Sequence, residues 1–393
     1  MYELYDLGKD EFLLEGLRAP LRFRLHNKAA TFLDYKTRAE FPQAKPAVEL
    51  RQQLEESLSQ DGRLFGAVGS FLSPGLIGTD PEIFVRRGDG SLLPAFEFLP
   101  PKSAAVHWSG GCKLFWDGFQ AEFTLSGGYS CMQEMGNAVR RGLQGIAHYA
   151  RKVDPAARLV LEPVVTVPPA ILKKASLEHV ALGCSPSQNA YGLHGRPAGS
   201  GRRLRHRFAG GHMHLGAPVT DPFKLVEYMD KLVGLPAVSC AEGVDNPIRR
   251  QYYGQPGEFR VPKANERIEY RTLSNFWLGH TGTYYLFFEL LRLANKLYQL
   301  QVALPWVGTH EAVVDAIQRT DHEAARKILA ANERLFFNLL RLRWEEPACI
   351  AAWRVITKGA VNTLRGFGDI EGQWLNAKDQ YPLTWGHAHV QVM

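Results

Sequence analysis

Residues Phe208 to Gly216 read FAGGHMHLG, and two histidines alternate along this extended, glycine-rich stretch. A period of two points the side chains of His212 and His214 to one face of a strand, where both imidazoles can reach the same ligand. The glycines remove side chains on either side, which lets a ligand or another backbone come close. Because paired strand histidines are also found satisfied by hydrogen bonds, the meaning of this stretch depends on the motifs around it.

The first strand-rich segment upstream begins at Leu76 and predicts a hairpin that turns at Gly88-Asp89-Gly90. Asp80 and Glu82 are two residues apart, so their carboxylates share one face, and Pro81 between them indicates an edge strand or a bulge. Two carboxylates that point the same way repel each other unless a positive charge lies between them. The pair therefore favours a divalent cation, with a solvent-facing acidic pair as the alternative.

The second strand is predicted from Lys113 to Leu125, where Glu122 sits among apolar residues. A buried acid in such surroundings needs a partner. Asp117, followed by Gly118, marks a turn or bulge in the same segment. Asp117 and Glu122 have opposite parity along one strand, so we expect both to face one site only if a bulge intervenes.

Downstream, residues Ile248 to Leu278 form a second dense patch of charged residues, which contains the sequence ERIEYR. On a strand, Arg267, Glu269 and Arg271 alternate onto one face. Such a row is consistent with a cross-strand ion-pair ladder. It is equally suited to chemistry, because arginine forks bind phosphate and carboxylate groups and the acid between them suits a metal ion.

The composition is that of an ordinary globular protein: 393 residues, 45% hydrophobic and 22% charged. The N-terminus shows no charged-then-apolar leader and the sequence has no run of 18 apolar residues, so we expect a soluble, unexported, cytoplasmic protein. Five cysteines without a C-x-x-C pair indicate reduced thiols and argue against a structural zinc site.

The formal net charge of +6 is modest and permits an anionic substrate without requiring nucleic acid. One stretch is locally basic, from Arg196 to Arg207, where five arginines directly precede the histidine strand. A solvated loop is the simplest interpretation, because no aromatic residues are interleaved for base stacking. Phosphate or nucleic-acid binding by this loop stays open because of its position beside the histidines.

Strand-rich segments between residues 76 and 125 and between 206 and 275, joined by helices, predict an α+β fold with a largely antiparallel sheet. From about residue 280 the pattern is helical. No Ser-His-Asp spacing, P-loop or dinucleotide fingerprint is present. The strands carry several acids, two histidines and several arginines, and such a set suits magnesium or manganese together with phosphate groups.

Five motifs occur in a fixed order along the chain: GTDPEIF, DGFQAEF, GGHMHLG, YYGQPGEFR and RIEYR. Together they resemble the glutamine synthetase and glutamate-cysteine ligase superfamily, and most of all its phage-type carboxylate-amine ligase (amidoligase) branch. The resemblance covers about residues 76 to 278. It implies a glutamine-synthetase-like catalytic domain there, with a curved, largely antiparallel sheet flanked by helices. Residues 1–75 would then be an N-terminal extension or cap, and residues 279–393 a helical part packed on this core.

The resemblance also implies roles for individual residues. The implied metal ligands are Asp80, Glu82, Glu122, His212 and Glu269. The implied contacts to the nucleotide and its phosphates are His212, His214, Arg267 and Arg249. The implied catalytic residues are Glu269, Arg260 and Arg271, with the arginines stabilising the transferred phosphoryl group.

The implied reaction is ATP-dependent amide formation with Mg²⁺ or Mn²⁺, in which phosphorylation of a carboxylate makes it reactive towards an amine. Neither the carboxylate nor the amine substrate is encoded in a recognisable motif. We expect no membrane association, a possible homo-oligomer, and location in the host cytoplasm if the protein is phage-encoded. Two alternatives remain: a guanido-kinase-like phosphotransferase, and a catalytically inactive module that binds nucleic acid or peptide through the Arg196–Arg207 loop.

Overall fold

The structure is a computed structural model that describes only part of the chain. The described residues are 2–8, 11–16, 21–24, 76–125, 127–181, 187–194, 204–216, 219–263, 267–341, 346–357 and 364–376. The first three ranges are strands β1 (Tyr2–Gly8), β2 (Glu11–Gly16) and β3 (Leu21–Arg24), which pair antiparallel in a small sheet. Most of the predicted N-terminal extension and of the basic Arg196–Arg207 loop lies outside the described residues.

A five-stranded sheet holds the histidine stretch near its centre. Its strands stand in the order β12, β15, β16, β14, β4, and each pair is antiparallel. Their bounds are β4 Leu76–Thr79, β12 Gln188–Asn189, β14 Met213–Gly216, β15 Glu258–Lys263 and β16 Arg267–Tyr270.

A second antiparallel sheet stands in the order β10, β5, β9, β8, β7, with β6 also paired to β5. Its strands are β5 Glu82–Arg86, β6 Leu92–Leu93, β7 Val106–His107, β8 Lys113–Asp117, β9 Gln120–Thr124 and β10 Arg158–Val160. Strands β11 (Val164–Thr166) and β13 (His206–Phe208) form a separate pair.

The predicted hairpin from Leu76 is only partly confirmed. Its turn is present, since β5 and β6 pair on either side of residues 87–91. The first arm, however, is two strands, because β4 and β5 belong to different sheets and the chain crosses between them at Asp80-Pro81. Proline has no backbone N–H to donate to a ladder, which explains why pairing stops there.

Helices surround these sheets and fill the C-terminal part. The side chain of Asp221 caps the helix that begins at Pro222, because it accepts a hydrogen bond from the backbone N–H of Lys224. The α-helices are α1 Met132–Val153, α2 Pro169–Lys174, α3 Leu177–Val180, α4 Pro222–Met229, α5 Leu235–Cys240, α6 Pro247–Arg250, α7 Thr281–Gln299, α8 His310–Arg319, α9 His322–Ala331, α10 Glu333–Arg341 and α11 Glu346–Thr357. A π-helical turn, Asp230–Gly234, joins α4 to α5.

Among the described residues, a large hydrophobic cluster includes side chains of both sheets, and a smaller one includes Phe84, Phe119 and Val165. Helix α1 packs on β8 and β9, and α7 packs on α4 and β14. On the five-stranded sheet the core-facing side chains include Met213, Ile268 and Tyr270, all fully buried. The residues that alternate with them, including His214 and Glu269, therefore lie on the opposite face.

These observations confirm the predicted α+β fold with antiparallel sheets and a helical C-terminal part. Across the described part of the chain, every helix is too short or too polar to cross a lipid bilayer. The domain boundaries at residues 75 and 278, and the likeness of the catalytic domain to glutamine synthetase, stay predictions.

Candidate active site

Two rows of polar residues cross the five-stranded sheet on the face opposite the core. In the first row the strand register places Gly78 beside His214, His214 beside Glu269, and Glu269 beside Arg260. Cross-strand partners share a face, so these side chains are neighbours. The second row lies just beyond the ends of these strands, two residues from the first row. It contains Asp80 after β4, His212 before β14 and Arg271 after β16, on the same face.

Asp80, His214 and Glu269 form what we call the histidine cluster: one donor atom from each lies within 4.8 Å of the other two. The Oδ1 atom of Asp80 is 3.1 Å from Nε2 of His214 and 3.2 Å from Nδ1 of His212. The Oε1 atom of Glu269 is 2.7 Å from Nη2 of Arg260 and 3.5 Å from Nε of Arg271. The predicted residues of both rows are thus brought together.

Charges in the histidine cluster favour ionised acids. Burial alone would raise the pKa of Asp80, but His214 and His212 hold that pKa well below its usual value. Burial likewise opposes ionisation of Glu269, and His212 and His214 together with Arg271 still lower its pKa. Two ionised carboxylates and an imidazole are a donor set that fits Mg²⁺ or Mn²⁺.

Glu82, Asp117 and Glu122 form the carboxylate cluster, with one oxygen of each within 4.8 Å of the others. The predicted turn or bulge at Asp117-Gly118 is confirmed as a turn, and this turn brings Asp117 and Glu122 to one site without the bulge that we expected to be required. Residues 113–125 are two strands joined by a tight turn at Gly118, whose φ is +66°. Reversal of the chain pairs Phe115 with Glu122, so Asp117, two residues from Phe115, lies on the face of Glu122.

Burial raises the pKa of Glu82 to about 6 and that of Glu122 well above its usual value, and neighbouring carboxylates add to both shifts. Burial also raises the pKa of Asp117, while Lys102 opposes the shift. The Nζ atom of Lys102 is 3.5 Å from Oε1 of Glu122. Glu82 and Glu122 are buried and Asp117 is partly buried, and a bound divalent cation would offset the cost of ionising these three acids side by side.

The two clusters meet where the chain crosses between the sheets. Asp80 and Glu82, predicted to share one cation, belong instead to different clusters, because Pro81 ends one strand and Glu82 begins the next. Glu82 is held in place by Gly210, which donates its N–H to Oε2 at 2.6 Å and accepts from the N–H of Glu82 at 3.0 Å. Gly210, two residues before His212, thus also positions Glu82 of the carboxylate cluster.

Tyr253 belongs to the site although it is not among the predicted site residues, even though it lies in the motif YYGQPGEFR. The guanidinium groups of Arg249 and Arg271 both lie over its ring, each 5.1 Å from the ring centroid. Its hydroxyl contacts Nε2 of His212 and lies 3.4 Å from Nη2 of Arg271. Gly210 permits this approach, because a Cβ there would lie 2.5 Å from the hydroxyl oxygen. Loop residues such as Tyr253 carry no strand parity by which to predict them.

Two predicted cofactor contacts lie at the margin of the site. Arg249 is fully buried and donates to the backbone carbonyls of Thr272, at 3.0 Å, and Leu273. This placement favours a structural role in shaping the segment after β16. Arg267 is exposed at the start of β16. Contact of either arginine with a nucleotide stays a prediction.

His212 and His214 occupy different positions relative to a cation. His214 is a member of the histidine cluster, whereas both ring nitrogens of His212 have protein neighbours: Nδ1 lies beside Asp80 and Nε2 beside Tyr253. The geometry therefore favours His214 as the metal ligand and His212 as a residue that orients Asp80. The predicted ligand role of His212 is untested.

Comparison with known proteins places one part of this site in a family. Residues 197–362 match the family model described as Phage phiEco32-like COOH.NH2 ligase-type 2. The matched region, less than half of the chain, contains both histidines, Arg260, Glu269 and Arg271. No curated protein and no solved structure matches the chain. The placement in the glutamine synthetase and glutamate-cysteine ligase superfamily stays a prediction. The predicted resemblance to the phage-type branch is confirmed: over residues 197–362, which hold three of the five motifs, this chain is similar to the phage-type carboxylate-amine ligases.

Proposed function

We propose that this protein is an ATP-dependent carboxylate-amine ligase that forms an amide through an acyl phosphate. The observation that carries the proposal is the pair of acidic clusters set side by side, with Arg260 and Arg271 against the shared acid Glu269. Carboxylates are poor electrophiles at neutral pH, so a ligase must first activate its carboxylate substrate. A site with places for two cations and two arginines is suited to activation by phosphoryl transfer.

The donor sets fit divalent cations. Asp80, His214 and Glu269 would hold one ion, and Glu82, Asp117 and Glu122 would hold another. When bound, such ions neutralise phosphate oxygens and orient the terminal phosphate for attack.

Arg260 and Arg271 have different roles in this proposal. Arg260 is the more accessible of the two, with its side chain 22% exposed against 3% for Arg271. We assign Arg260 to the transferred phosphoryl group and Arg271 to the buried positioning of Glu269 and Tyr253. Glu269 orients both guanidinium groups by accepting charge-assisted contacts on one oxygen.

The test is ADP release by the purified full-length protein with Mg-ATP, screened against pools of carboxylic acids and amines. Glu82→Gln removes one charge from the carboxylate cluster. Glu162→Gln is the matched control, because Glu162 pairs with Arg86 on the surface, at 2.6 Å. We expect release that requires both pools, persists in Glu162→Gln and is lost in Glu82→Gln.

Other outcomes distinguish the alternatives. Release that requires only an amine, with a product that gains the mass of a phosphoryl group, would indicate a phosphotransferase. No release from any pool and no stabilisation of the protein by Mg-ATP against heat would contradict the ligase and favour a binding module.

A further inference from the structure

The two acidic clusters are balanced by different kinds of positive group. In the histidine cluster the positive partners of Glu269 are Arg260 and Arg271, which stand on or directly after strands of the same sheet. In the carboxylate cluster the cation paired with Glu122 is Lys102, which lies in a short loop helix, Lys102–Ala104. Its side chain is 65% exposed, whereas that of Glu122 is 5% exposed. Lys102 therefore adds a solvent-exposed positive group to the carboxylate cluster, where His212 and Arg271 also oppose the rise in the pKa values of Glu82 and Asp117.

The loop that carries Lys102 is anchored next to the cluster. The backbone N–H of Trp116 donates to the carbonyl of Pro100 at 3.0 Å, and Pro101 forms a bridge with Trp116. The neighbouring residue Phe115 pairs with Glu122 across the sheet and shares its face. The ammonium group of Lys102 lies 4.7 Å from the centroid of the Phe115 ring. A fixed backbone thus holds a long, flexible side chain over the opening of the cluster.

We propose that Lys102 is a built-in counter-ion of the carboxylate cluster that a divalent cation displaces, so that Lys102 sets the cation affinity of this site. The inference rests on the proposed function, in which the cluster holds a cation. Its basis is competition for the same oxygen: an ammonium group at 3.5 Å from Oε1 of Glu122 occupies a position from which that oxygen would bind the ion. The ammonium group and a divalent cation also repel each other, and partial exposure lets the lysine move away.

The experiment is a titration of the full-length protein with Mn²⁺, followed through the electron paramagnetic resonance signal of free Mn²⁺. Lys102→Met removes the charge and keeps the apolar stem, and Lys102→Arg keeps the charge. Lys113→Met is the matched control, because Lys113 is exposed at the start of β8 and its loss changes the net charge equally. We expect Lys102→Met to bind Mn²⁺ about two- to fivefold more tightly. The other two variants should bind like the wild type.

Glu122→Gln identifies which site has changed. This variant should lose one Mn²⁺ site, and adding Lys102→Met to it should no longer tighten binding at the remaining site. Equal affinity of Lys102→Met and the wild type, or equal tightening by Lys113→Met, would overturn the role of Lys102 and leave the ligase proposal standing. Absence of Mn²⁺ binding by the wild type would overturn both.

Discussion

At the scale of single residues, Glu269 is the point on which the positive groups of the site converge. One oxygen of this buried acid is 2.7 Å from Arg260, 3.5 Å from Arg271 and 3.6 Å from His212. Removing its charge would leave two guanidinium groups without their shared partner and would remove a ligand from the histidine cluster. The residue is thus more important for arranging charge than for packing.

Glu269→Gln keeps the shape of the side chain and removes its charge. We expect ADP release to fall by about 100-fold or more, as for loss of one preorganised electrostatic contact in a catalytic site. The melting temperature should fall only slightly, since the amide fills the same space. Parallel assays of ADP release and thermal unfolding check this, and near wild-type turnover by the variant would refute the assignment.

A second prediction at the residue scale concerns the hydroxyl group of Tyr253. Tyr253→Phe keeps the ring between Arg249 and Arg271 but removes the hydroxyl that contacts His212. Because His212 then loses a group that orients it, we expect kcat to fall by about tenfold with little change in the free energy of unfolding.

Tyr252→Phe is the matched control, since the Tyr252 ring stacks on Phe208, with the ring centroids 5.7 Å apart. A steady-state comparison should show kcat reduced in Tyr253→Phe alone. Equal loss in both variants would mean that the tyrosine pair is needed only for the shape of the loop.

At the scale of elements, the π-helical turn after α4 contacts the core side of the strands that carry the candidate site. Its first residue, Asp230, is completely buried. Asp230 accepts hydrogen bonds from the hydroxyls of Tyr270 and Tyr191, at 2.5 Å and 2.8 Å, and from the N–H of Gly257 at 2.7 Å. Tyr270 lies between Glu269 and Arg271 in the sequence but on the opposite face, so this contact holds β16 from the core side.

This turn predicts a pH dependence. Burial raises the pKa of Asp230 from 3.8 to about 6, despite hydrogen bonds that favour ionisation. Between these pH values the folded protein keeps a proton that the unfolded chain has lost, so the Asp230 contribution to stability falls as the pH rises and is constant above about pH 6. Asp230→Asn removes this contribution. Denaturant unfolding should be measured at several pH values. From pH 4 to 6 the free energy of unfolding of Asp230→Asn should rise by up to about 3 kcal/mol relative to that of the wild type.

A constant difference between wild type and Asp230→Asn across that range would show that Asp230 does not retain its proton in the folded protein. The absolute stability of the variant is a separate quantity, because asparagine cannot replace all three accepted hydrogen bonds.

The alternation of side chains along a strand correctly predicted which residues share a face wherever the strand continues without interruption. His212 and His214 share a face, as do Glu269 and Arg271, because no turn intervenes. The same reasoning failed for Asp117 and Glu122, since a two-residue turn reverses the chain between them and restores a common face. Lys102 and Tyr253 could not be predicted, because their positions depend on how loops pack against strands far away in the sequence.

At the scale of the whole molecule, the C-terminal segment contacts the part of the chain that carries the candidate site. Trp374 is completely buried and donates its indole N–H to the carbonyl of Leu278 at 2.7 Å. Glu371, three residues earlier, pairs with Arg151 of α1 at 2.6 Å and accepts from the N–H of Leu159 in β10. The predicted boundary at residue 278 is thus crossed by buried contacts, which favours cooperative unfolding.

Trp374→Ala tests this cooperativity. We expect the free energy of unfolding to fall by about 3 to 5 kcal/mol, as for loss of a buried tryptophan, while the denaturation curve keeps one transition. Leu177→Ala is the control, because Leu177 is 73% exposed and its truncation should change little. Two separate transitions in the wild type, with only one shifted by Trp374→Ala, would show that the helical part unfolds as an independent domain.

The crossing from Asp80 to Glu82 has a consequence for how the two clusters are held together. Each cluster receives one carboxylate from this tripeptide, and two residues of extended chain separate the two α-carbons by at most about 7 Å. That limit is set by covalent geometry, which temperature and core substitutions scarcely alter, whereas the positions of the other acids and of His214 depend on the packing of whole sheets. A destabilised variant should therefore lose cation affinity by misplacing those other side chains, while the backbone of Asp80 and Glu82 keeps the two clusters neighbours.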